Sequence, residues 1–199
     1  LMRGNVGMWL AWRGMRLGTS QTGDPNSADS TLGLGQFRFY QLTPADPSWT
    51  PQGTFDTDAL LERIRYTGGM GDGDSPQLST FALHGKMIVY NGMADQGMAT
   101  SMIVDWYDKM LNATGEPGRQ AVRLFTVPGM LHCGGGEATD RFEMLDAIVD
   151  WVEYGKAPDR VIATGKAMPG LSRPLCPYPK VARYRGGDAN RAESFECAA

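Results

Sequence analysis

The residues best suited to chemistry in this chain are an aspartate and a histidine, each on a loop that follows a short apolar run. The two stretches are Asn91-Gly92-Met93-Ala94-Asp95 and Pro128-Gly129-Met130-Leu131-His132-Cys133-Gly134-Gly135-Gly136. Loops that leave the carboxyl ends of strands are where open α/β folds place their chemistry, so both stretches read as parts of a site. A histidine can remove the proton of a nucleophile, and a carboxylate beside it fixes the ring tautomer and stabilises the imidazolium. Asp95 and His132 have the types and the order for these roles. The chain has two histidines, and the other, His84, stands ahead of the first apolar run, at the opposite edge from the chemistry; it reads as a surface or turn residue.

An acid followed by a histidine is the second half of the Ser, Asp, His order of α/β-hydrolases. The serine is missing. None stands in a G-x-S-x-G elbow, and none lies at a strand-to-helix turn before Asp95. Gly134-Gly135-Gly136 lacks the spacing and the lysine of a phosphate loop, and reads as backbone passing close beneath His132. Asp72-Gly73-Asp74 resembles the start of a calcium loop, yet Leu83 stands where the closing glutamate belongs. Cys133 has no ligand spacing to another cysteine or histidine. No metal site and no cofactor are expected in this chain.

The elements that must position Asp95 and His132 are legible in the hydrophobic pattern. Residues 86–90 (KMIVY) predict a strand, and 98–112 a helix through Met102, Ile103, Trp106, Tyr107, Met110 and Leu111. Residues 121–127 (AVRLFTV) predict a second strand. The stretch 140–154 predicts a second helix through Phe142, Leu145, Ile148, Val149 and Val152, stopped by Gly155 and Pro158. Two strand–loop–helix units in succession imply a parallel sheet with right-handed crossovers. Residues 1 to about 75 are rich in Gly, Pro, Ser, Thr and Asp, with Trp9, Trp12, Phe37, Phe39, Tyr40, Trp49 and Phe55 among them; they predict irregular structure tied down by aromatic anchors. The tail from 161 predicts a wrapped, irregular extension with one short strand at 181–184.

Bulk properties bound the function. The chain has 199 residues, 42% hydrophobic and 21% charged, enough for one globular domain or one domain and part of another. A net charge of -3 and an isoelectric point near 5.4 give no basic field for nucleic acid or anionic lipid. No apolar run is long enough to span a bilayer, so neither nucleic acid nor membrane is an expected partner. The chain opens on Leu1 in mid-pattern, which predicts a true N-terminus upstream, and any signal peptide with it. Three cysteines, Cys133, Cys176 and Cys197, are an odd count: in an oxidising compartment one is free or pairs outside the chain, whereas in the cytosol all three would be unrelated buried thiols. Cys176 and Cys197 bracket the last stretch at a spacing a disulfide can use to pin a tail without a core of its own.

Several words of the sequence resemble the tannase and feruloyl esterase family of α/β-hydrolases, which also contains bacterial hydrolases of terephthalate monoesters. They are Pro76-Gln77-Leu78-Ser79-Thr80-Phe81, the run from Gly85 to Asp95, the run from Arg123 to Cys133, Trp151-Val152-Glu153-Tyr154-Gly155-Lys156-Ala157-Pro158, and Arg173-Pro174-Leu175-Cys176-Pro177-Tyr178-Pro179. The resemblance implies the C-terminal half of an α/β-hydrolase fold over 76–199, a parallel sheet with flanking helices, and over 1–75 the remnant of an irregular lid. It implies a carboxylic ester hydrolase of aromatic acids, with Asp95 and His132 catalytic and the serine in a missing N-terminal part of the same protein, so that this chain by itself should be inactive. In that family the nucleophile follows a cysteine bonded to the one after the catalytic histidine, which would give Cys133 a partner outside the chain, and Cys176–Cys197 would be a C-terminal disulfide. A secreted or periplasmic location follows, and a structural calcium in the lid is implied with no ligands recognisable here. Many members have His-Gly where this chain has Asn91-Gly92. Asn91, Gly97 and Met98 are candidates to line the pocket, and Trp12 and Arg38 to contact an aromatic acid from the lid. Two other classes share some of these features: a non-catalytic fragment or binding module, and another α/β-hydrolase such as a peptidase, which would lack a cysteine beside its nucleophile.

Overall fold

The computed structural model describes residues 34–49, 57–71 and 73–199. The chain divides into two compact units, residues 1–74 and 75–199. Trp9, Trp12, Phe55 and Asp72 lie outside the described residues.

In the first unit a π-helical turn, Phe37–Gln41, precedes helix α1, Thr57–Gly71. A 15-residue helix corrects the expectation of irregular structure: Leu60, Leu61 and Ile64 supply helical spacing in a segment whose glycines, Gly68, Gly69 and Gly71, obscure it. Among the described residues the aromatic anchoring is present where Phe37 stacks on Trp49, with ring centroids 5.1 Å apart. Phe39 and Tyr40 are exposed instead.

The second unit is built on two parallel strands, β1, Met87–Gly92, and β2, Val122–Val127, paired in register from Met87↔Val122 to Gly92↔Val127. A short helix, α2, Ser79–His84, leads into β1, so His84 is an exposed helix end. Helix α3, Thr100–Thr114, and the short α4, Glu116–Ala121, connect the strands. Gly115, at a positive φ of 66°, ends α3 and donates its N–H to Leu111 O, a backbone conformation that glycine adopts without steric cost. Alternation along β2 separates two cores. Val122 and Leu124 join Tyr107 and Met110 of α3, whereas Phe125 and Val127 meet Met144 of helix α5, Met144–Tyr154, on the other face. The sheet therefore carries helices on both faces.

Helix α5 begins four residues later than the pattern predicts, because Arg141 is drawn into a bridge with Thr164. It ends as expected on Gly155 in the left-handed region. Its inward residues are Met144, Ala147 and Trp151; Leu145 and Val152 of the expected stripe are 72% and 61% exposed. Met102 of α3 likewise faces solvent.

The tail is more regular than its prolines suggest. Strands β3, Val161–Thr164, and β4, Ser172–Leu175, form one antiparallel pair, and β5, Val181–Tyr184, pairs with β6, Phe195–Ala198. The expected strand at 181–184 is present with three others that the pattern missed. A disulfide joins Cys176 to Cys197 across 21 positions, and Tyr178 donates its N–H to Leu124, which seats the tail against the edge of β2.

Candidate active site

The register of β1 and β2 brings both strands to their carboxyl ends together, Gly92 beside Val127, so the loops that follow start side by side. They are tied by backbone hydrogen bonds: Met93 N–H donates to Val127 O at 3.0 Å and Ala94 N–H to Met130 O at 2.9 Å. Gly92 makes this possible, since a Cβ there would collide with the carbonyl oxygens of Met130 and Leu131. On the second loop Gly129, at φ 75°, and Gly136, at φ 80°, allow Met130 to bridge back to Gly136. The Asp140 carboxylate then holds the loop by accepting the Gly135 N–H at 2.7 Å.

Within this frame His132 Nδ1 lies 2.8 Å from Asp95 Oδ2. The carboxylate side chain is 2% exposed and the imidazole 55%, an enclosed acid beside an accessible ring. Both oxygens of Asp95 are in use. Oδ1 accepts the N–H groups of Gly97 at 2.7 Å and Met98 at 3.0 Å, the local turn that aspartate side chains form with their own following backbone. Oδ2 faces His132 and, at 3.4 Å, the amide of Asn91. Burial acts to raise the carboxyl, but the Met98 N–H, the His132 ring and the Gly97 N–H together outweigh it and hold Asp95 below its ordinary value. Asp95 is thus ionised at neutral pH. A carboxylate beside Nδ1 favours, in the neutral ring, the tautomer with its proton on Nδ1 and the lone pair on Nε2.

The other candidate residues fall differently. Gly97 and Met98 serve the acid through their backbone, and Met98 also presents an exposed side chain beside it. Asn91 is buried and its amide is engaged by Asp95 and by the Thr100 hydroxyl. Arg38 belongs to the first unit, where its Nε donates to Trp49 O at 2.6 Å. Cys133 is an exposed free thiol next to His132. Thr100, Gly92 and Asp140 support the site and were not legible in the sequence: a glycine at a strand end or an acid five residues past a loop glycine carries no signal until the partner backbone is in place. No serine among the described residues is hydrogen-bonded to His132, and no three acidic, histidine or cysteine side chains among them converge on a metal position.

A parallel sheet covered by helices on both faces, with a carboxylate and an imidazole paired on adjacent loops past its strand ends, is part of an α/β-hydrolase fold. Solved structures agree on the architecture: feruloyl esterase B from Aspergillus oryzae aligns with a TM-score of 0.70 at 22% identity, over 96% of this chain and 40% of that one. The family model for tannase and feruloyl esterase matches residues 48–198, and the chain belongs to that family. Among curated relatives, a probable feruloyl esterase of Arthroderma benhamiae is 30% identical over 195 residues, 93% of this chain and 36% of the relative. A mono(2-hydroxyethyl) terephthalate hydrolase of Piscinibacter sakaiensis is 47% identical over 123 residues, 58% of this chain and 20% of the relative. The chain spans about a third or less of the length of these two relatives.

Proposed function

We propose that this chain supplies the acid and the base of a Ser-His-Asp ester hydrolase, and that the nucleophilic serine comes from polypeptide outside these 199 residues. The observation that carries the reading is the 2.8 Å contact between His132 Nδ1 and a buried, fully hydrogen-bonded Asp95 carboxylate. His132 takes the serine proton on Nε2 as the hydroxyl attacks the ester carbonyl. The imidazolium so formed is stabilised by Asp95 and returns the proton to the leaving alcohol, and water then repeats the sequence on the acyl-enzyme. Oxyanion donors belong beside the nucleophile and in another early loop. A binding module would have no need of an enclosed ionised acid aimed at an exposed imidazole.

The substrate class we infer is esters of aromatic acids. Relatives named for feruloyl esters and for mono(2-hydroxyethyl) terephthalate support it. The first unit takes the part of the lid in this reading, and Cys133 awaits a cysteine adjacent to the serine. The Cys176–Cys197 disulfide favours a secreted or periplasmic setting; no helix among the described residues is long and apolar enough to cross a membrane.

The test uses the polypeptide that carries the nucleophile in frame with these residues, assayed on methyl ferulate, methyl gallate and mono(2-hydroxyethyl) terephthalate. His132→Ala and Asp95→Asn should each lower kcat by about 10³ or more with folding intact. Near-normal hydrolysis by His132→Ala would remove His132 from the chemistry. The 199-residue chain alone should hydrolyse none of the three esters.

A further inference from the structure

Asn91 is a buried amide at the penultimate position of β1, and its two ends are engaged by two different residues. Its Oδ1 accepts the Thr100 hydroxyl at 2.6 Å and its Nδ2 faces Asp95 Oδ2 at 3.4 Å. Thr100 is the first residue of α3, whose N-cap is Ala99, so its hydroxyl is not engaged as a cap. Gly92 O lies 3.3 Å from the same hydroxyl. A hydroxyl has one proton to give, and two arrangements are conceivable. In one, Thr100 donates to Asn91 Oδ1 and the amide turns its N–H to Asp95. In the other, Thr100 donates to Gly92 O, the amide turns over, and Asn91 Oδ1 confronts the ionised carboxylate. The second sets lone pairs against a negative charge in a buried site, where such a contact is costly. The 2.6 Å bond belongs to the first.

The geometry points to Thr100 as a positioning residue that acts through Asn91 on Asp95, and through Asp95 on the tautomer of His132. The inference rests on Asp95 and His132 being an acid–base pair. The hydroxyl fixes which end of the amide meets the carboxylate. The amide N–H occupies one side of Oδ2 and leaves the other for His132 Nδ1–H. Without Thr100, Asn91 is released to turn, and Oδ2 of Asp95 loses the amide beside His132 while Oδ1 keeps the Gly97 and Met98 N–H groups.

Nitrogen NMR of the imidazole rings in the 199-residue chain tests this without activity. The chain has two histidines, and the exposed ring of His84 on α2 is the internal comparison for His132. Neutral His132 should carry its proton on Nδ1, and Asp95→Asn should abolish that preference. Thr100→Val, nearly the same shape, should reduce the Nδ1–H population to a level between these two, and Thr100→Ser should restore it. Asn91→Ala should give the same partial loss by itself, and adding Thr100→Val to it should change nothing further, because the hydroxyl acts only through the amide. A wild-type tautomer population in Thr100→Val, or an equal further loss in the Asn91→Ala background, overturns the role of Thr100 while leaving the pair intact. An unchanged His132 ring in Asp95→Asn overturns the pair, and the positioning role with it.

Discussion

Asp95 is an acid whose neighbours all favour its charged form, although it is enclosed. The Met98 and Gly97 N–H groups and the His132 ring are aimed at the anion, and together they outweigh the desolvation that acts the other way. The sign for stability follows. A carboxyl held below its ordinary value contributes to folding above the unfolded-state value, and the contribution disappears as pH falls through the folded-state value. Denaturation midpoints of the chain measured from pH 7 down to pH 3 should therefore fall on the acid side. In Asp95→Asn that acid limb should be shallower, because the titrating group is gone. Equal acid limbs in the two proteins would mean that Asp95 is not the group being read. The same protonation removes the anionic acceptor facing His132 Nδ1.

At the scale of elements, the pair exists because two loops run in backbone contact past a level sheet edge. Gly92 is the tightest point. A methyl group there meets the carbonyls of Met130 and Leu131, rigid atoms that cannot rotate aside. Gly92→Ala should cost about 1–3 kcal/mol as overpacking and should also separate Asp95 from His132, so that activity falls further than stability alone explains; urea midpoints and kcat measured together check this. Helix α5 provides a second contrast between its two sides. Trp151 is buried under the guanidinium of Arg123, 4.9 Å from the ring centroid, and Trp151→Ala should cost about 3–5 kcal/mol. Leu145→Glu, on the exposed side, should change the stability of the chain by less than about 0.5 kcal/mol. A large loss from Leu145→Glu would show that this stripe is covered in solution.

For the whole molecule, the tail is held by one covalent link and two small ladders. Cys197→Ser removes a bond closing 21 positions, which should destabilise the chain by about 3 kcal/mol on the loop-entropy estimate, and the thermal midpoint with and without reductant should show it. Peptide mapping without reductant should find Cys176 joined to Cys197 and Cys133 as a thiol. A bond from Cys133 to either tail cysteine would contradict the pairing. Among the described residues β1 has β2 on one edge and no strand on the other. An open edge of this kind invites pairing with another chain, so the isolated chain should self-associate at high concentration, and light scattering should report it.

What the sequence determined by itself was local. Apolar runs of strand length closed by Asn91-Gly92 and Pro128-Gly129, and helical spacing between them, made the two strands and their parallel order legible, because crossover connections follow from element order. Asp95 and His132 stood out by residue type and order, and the structure brings them into contact. The sequence left open which face of α5 meets the sheet, since Leu145, Val149 and Val152 are as apolar as Met144, Ala147 and Trp151, and only packing against β2 chooses between them. It also hid three of the four tail strands, β3, β4 and β6, and helix α1, where prolines and glycines speak against regularity until long-range ladders and neighbouring side chains override them. The supports of the site were the least legible. Thr100 is nine positions from Asn91, and Gly92 is set against a loop some forty residues on. Their roles are distances between backbones, and distances of that kind exist only once the sheet has aligned its strand ends.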